Sequence, residues 1–133
     1  MVEFILVLPL LLIVAVGVLD LGRIFFGLIT VSNASREGAR YLTFNPDDIS
    51  NTNGAYYDTR QAAVNESLGS IIHLTPANIT ATCSATFTDL NGTLNCASGS
   101  TATVTANYAL DLIAGWVLPS PITLTRSTRM VVP

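Results

Sequence analysis

Lysine is absent from this 133-residue chain, and histidine and tryptophan occur once each. All six basic residues are arginine, a bias that nothing in the sequence explains. Charge is scarce throughout: 11% of residues are Asp, Glu, Lys or Arg, against about a quarter in ordinary globular chains. The net charge of −3 excludes a nucleic-acid surface built on a basic stripe. His73 has no acid partner close by in sequence, and no Ser-His-Asp or Cys-His arrangement emerges from the sequence. Paired carboxylates and a phosphate loop are also missing. His73 is read as structural, the chain as no enzyme, and no cofactor is implied. Cys83 and Cys96 are not spaced C-x-x-C and have no His beside them, which leaves a zinc site short of ligands. A disulfide closing a short loop in an oxidising compartment fits better than two buried free thiols.

What is abundant is apolar, and it is crowded into one place. Mean hydropathy is +0.52, yet Leu, Ile and Val concentrate in residues 1–31, while the rest is rich in Thr, Ser, Asn and Ala. Sixteen uncharged residues run from Phe4 to Leu19 behind Glu3. If all of Val2–Leu42 is helical it is roughly 60 Å long. The remaining residues make a body only about 25 Å across, so the helix must protrude. Its bare half needs lipid or other chains around it. A secretory signal has a basic start and a small-residue cleavage site. Here the start is acidic and the run leads straight into an amphipathic helix, so the run is read as retained.

Pro9 lies within the run and predicts a kink or short melted segment. Gly17, Gly22 and Gly27 recur every five residues and permit close helix approach. Asp20 and Arg23, three apart, can pair on one face. Either they form a partnered charge inside the membrane, or Asp20 marks the bilayer edge, since sixteen residues span about 24 Å and a hydrocarbon core about 30 Å. From Thr30 the helix turns amphipathic, with Val31, Ala34, Gly38 and Leu42 in one stripe. Arg36, Glu37 and Arg40 face elsewhere, and Glu37 can reach Arg40. Asn45-Pro46 ends the helix. The Asp and Asn oxygens of residues 45–57 fail the calcium-loop pattern. Asp58-Thr59-Arg60-Gln61 looks like a capping box opening a second helix, with Gly69 near its end.

From Asn78 the period becomes two. Strands are expected over 79–88 and 101–110, around an Asn91-Gly92 hairpin turn, with a short strand near 94–97 and a closing strand over 122–132. The fold class is α+β: a long helix and a short helix with three or four antiparallel strands. The sheet's apolar face covers the amphipathic half of the first helix. Residues 1–30 form the apolar helix and 31–133 the head. The loop 111–121 carries Leu112, Ile113, Trp116 and Leu118. It either meets a partner or folds back onto the sheet. Sequons at Asn33, Asn65, Asn78 and Asn91 mildly exceed chance, and Asn65, Asn78 or Asn91 could carry glycans in a surface protein.

Val2-Glu3-Phe4, Leu8-Pro9-Leu10, Asp20-Leu21-Gly22-Arg23 and Asn33 through Tyr41 (NASREGARY) together resemble the TadE/TadG-like family. These are pilin-like proteins of tight-adherence secretion systems, related to type IV pilins. The resemblance is strong over the first 42 residues and loose beyond. It implies a pilin-like lollipop, a prepilin peptidase, an inner-membrane assembly platform with its ATPase, and a helix that leaves the membrane for a filament core. The family's acidic residue near the mature amino terminus maps to Glu3, which is third here where pilins usually have it fifth. The function so implied is a structural subunit of an extracellular type IV pilus-like filament, assembled from copies of itself and used in adhesion. The alternative is a minor pilin or membrane-retained assembly factor. Glu3, Asp20, Arg23, Arg36, Glu37 and Arg40 are then the candidates for charge pairing during assembly.

Overall fold

One helix carries the rest of the molecule. The computed structural model describes residues 2–47, 49, 55–115 and 120–133, apart from the side chains of Val2, Glu3, Leu6 and Ala55. Helix α1 spans Val2–Phe44, 43 residues or about 65 Å. It is unbroken through Pro9, so the melted segment expected there does not form. Proline removes only one hydrogen bond from a ladder that continues on both sides. Phe4, Leu10, Val14 and Leu19 are 57–70% exposed, whereas Val31, Ala34, Ala39 and Leu42 are fully buried. Within the buried half, the hydroxyls of Thr30, Ser35 and Thr43 each donate to a carbonyl three or four residues back, so each has a partner within the helix itself.

Helix α2 spans Ala55–Asn65. It begins before Asp58, so the expected capping box is not its start. Asp58 lies instead in the first turn, where the helix dipole favours a carboxylate. The helix ends before Gly69, which sits in the following turn at φ +83°, a conformation that suits glycine. Ser67 closes that turn: its hydroxyl donates to the Val64 carbonyl at 2.7 Å and accepts the Leu74 N–H at 3.1 Å.

Strands β1 (Ile79–Cys83), β4 (Thr101–Leu110) and β5 (Ile122–Val131) form an antiparallel sheet in the order β1-β4-β5. Alternation places Ala102, Val104 and Ala106 of β4 in the core. These small side chains let α1 lie close on the sheet. The expected strand over 79–88 is two strands, because residues 84–85 bend away. Strand β2 (Thr86–Thr88) pairs instead with β3 (Leu94–Cys96) around Asn91-Gly92. Gly92 has φ +78° there, as a tight hairpin turn requires. A Cys83–Cys96 disulfide, with the Cα atoms 5.8 Å apart, fastens this hairpin to β1. The segment after α1 adds two backbone bonds, Ile49 N–H to the Leu94 carbonyl at 2.8 Å and Cys96 N–H to the Pro46 carbonyl at 2.9 Å. The layout is the expected α+β lollipop.

Candidate assembly surface

Asp20 is the one acid on α1 that is buried among the described residues, at 2% exposure. It follows directly on the uncharged run, where a bare carboxylate would be costly. The turn after β4 covers it. Asp20 Oδ1 accepts the Ile113 N–H at 2.9 Å, and Oδ2 accepts the Ala114 N–H at 2.8 Å. Arg23, one turn on, reaches Asp20 Oδ1 at 3.4 Å and donates to the Asp111 carbonyl at 3.1 Å. Both carboxylate oxygens thus carry main-chain donors, and the guanidinium bridges the helix to the same turn. The expected Asp20–Arg23 pair is present, and its larger role lies in the fold: it clamps residues 111–114 onto the stalk. Sequence reasoning missed that role, because the partners are backbone groups 93 and 94 positions away.

Above the clamp, helix and head stay in contact. A Cβ on Gly27 would lie 2.5 Å from Ile72 Cδ1 and 2.6 Å from Leu124 Cδ1, so glycine admits both side chains there. The hydroxyls of Ser35 and Thr128 share a hydrogen bond at 2.9 Å. At Gly38 three elements converge, for a Cβ would be 3.0 Å from Val104 Cγ1 and 3.2 Å from Ala63 Cβ. Beside this seam an open groove of about 670 Å³ runs between α1 and β5, with Phe25 and Ile29 at its apolar part and Arg36 and Arg126 at its basic part. Arg36 and Arg40 are exposed, and Arg40 meets Glu37 at 3.7 Å in a solvent-facing pair worth little to stability.

The remaining expected sites are scattered. The side chain of Glu3, and all of Trp116 and Leu118, lie outside the described residues. Leu112 is turned into the head while Ile113 is 53% exposed. Asn65 and Asn91 are exposed; Asn78 is half-buried, and its amide oxygen accepts from the Thr75 N–H and hydroxyl. His73 is exposed. Among the described residues no cluster of His, Cys, Asp and Glu could hold a metal. One further link escaped the sequence: the Tyr56 hydroxyl accepts the Cys83 N–H at 2.9 Å, tying α2 to the disulfide.

The apolar half of α1 is the largest uncovered feature. The helix is long and apolar enough to cross a membrane, and only 6% of its most apolar stretch is buried. No curated protein and no solved structure matches the chain. The family of TadE-like proteins matches residues 1–40, the segment that holds the bare stalk and the clamp residues Asp20 and Arg23, and it is in that segment that the chain is similar to the family.

Proposed function

We propose that this protein is a structural subunit of an extracellular Tad-type filament, anchored by α1 in the cytoplasmic membrane before assembly. The exposed apolar half of α1 carries the reading. Among the described residues the head leaves it almost wholly uncovered, and the TadE-like match over residues 1–40 supports a pilus-related setting. In the membrane this surface faces lipid. In a filament it faces the same surface of neighbouring copies, with burial worth roughly 25 cal/mol per Å² relative to water. Assembly thereby exchanges one apolar environment for another, and packing between helices sets the stagger. A membrane platform and a prepilin peptidase are the partners this route needs.

The test is negative-stain microscopy of material sheared from the cell surface. Filaments containing this chain are expected. A purified monomer that stays soluble without detergent, with residues 4–29 protected from exchange, would overturn the proposal.

A further inference from the structure

We propose that the turn clamped by Asp20 is a foot that seats on the bilayer: Ile113 enters the boundary between headgroups and acyl chains. The proposal rests on the reading of α1 as membrane-crossing before assembly. Its first support is level. The uncharged run Phe4–Leu19 spans about 24 Å of a hydrocarbon core about 30 Å thick, so Asp20 lies within about 6 Å of the boundary. The backbone of Ile113 and Ala114 is held against it at 2.9 and 2.8 Å. The turn is therefore fixed at that same height.

Chemistry agrees with the level. Leu112 and Ala114 point inward, and Ile113 is left out beside the stalk. Ile71 is also exposed, next to the Ile72 that packs at Gly27, so a second apolar side chain lies a turn or two higher. Asp20 needs no water, because its two oxygens are occupied by N–H donors. Arg23 is about one-third exposed and long enough to extend its charge toward headgroups. Asp111, exposed, keeps the polar side of the turn in the headgroup layer. An acid satisfied by backbone at the foot of a bare helix is the arrangement a dry boundary requires.

The experiment places single tryptophans in the full chain, reconstituted in phosphatidylcholine/phosphatidylglycerol vesicles containing brominated lipid. Ile113→Trp in a Trp116→Phe background reports the foot, and Val14→Trp in the same background reports the anchor. Bromines near the top of the acyl chains are expected to quench Ile113→Trp more than bromines near the chain ends, with the reverse for Val14→Trp. Adding Asp20→Asn is expected to weaken quenching at 113 and leave it unchanged at 14. Quenching at 14 without quenching at 113 overturns the foot alone. Quenching at neither overturns the membrane reading as well. Unaltered quenching at 113 in the Asp20→Asn protein overturns the role given to the clamp.

Discussion

Gly38 and Tyr56 show how single positions set the fit between stalk and head. Gly38 sits where α1, α2 and β4 meet, with Val104 and Ala63 at contact distance of any added Cβ. Gly38→Val should destabilise the protein by about 1–3 kcal/mol, the usual cost of overpacking, read as a lower midpoint in thermal unfolding in detergent. Tyr56→Phe removes the acceptor of the Cys83 N–H and should cost about 1 kcal/mol. Burial also pushes the Tyr56 phenol above its ordinary value of 10.0. A raised phenol favours the folded state in its neutral form. That contribution is complete below pH 10 and disappears as pH climbs through the raised value. Alkaline melting curves should therefore fall more steeply for the native protein than for Tyr56→Phe.

Elements differ in how far local pattern dictated them. The 3.6-residue stripe of Val31, Ala34, Gly38 and Leu42, and the period-two alternation of β4 and β5, are legible because burial repeats with the element's own geometry. The start of α2 was not legible. Asp58 carries a cap-like pattern, but the chain is already helical at Ala55, three residues earlier, and Asp58 falls in the first turn. The clamp was half legible: Asp20 and Arg23 stood out as charges beside an apolar run, while their backbone acceptors and donors left no side-chain signature. The β2–β3 hairpin is the element held from outside, by the disulfide and by the backbone of Pro46 and Ile49. Replacing Cys83 and Cys96 by serine should cost about 3 kcal/mol, as for other loops of this length. Hydrogen exchange should then rise at residues 86–96 while β4 and β5 stay protected.

For the whole molecule, the decisive surface is the uncovered half of α1. Leu11→Arg places a charge in that surface at a cost of about 2.5–3.5 kcal/mol at mid-membrane depth. Leu11 is 61% exposed, so the head should fold with its disulfide formed. Filaments in the sheared fraction should vanish while the protein remains in the membrane fraction. Asp20→Asn with Arg23→Gln acts differently. It should loosen residues 111–114 in the monomer, seen as faster exchange there, and lower filament yield through a head that is no longer square on its stalk. Normal yield with a loosened turn would separate the clamp from assembly.

Strand β5 runs alongside α1 in the same direction, since Leu124 lies at Gly27 and Thr128 at Ser35. It pairs with β4 along its full length, from Ile122 opposite Leu110 to Val131 opposite Thr101. A pull along the stalk therefore enters the head parallel to the strands and meets the whole β4–β5 ladder in shear. The rungs share that load at once instead of opening one after another like a zipper. A fibre made of such parts would resist stretching at the seam between helix and sheet.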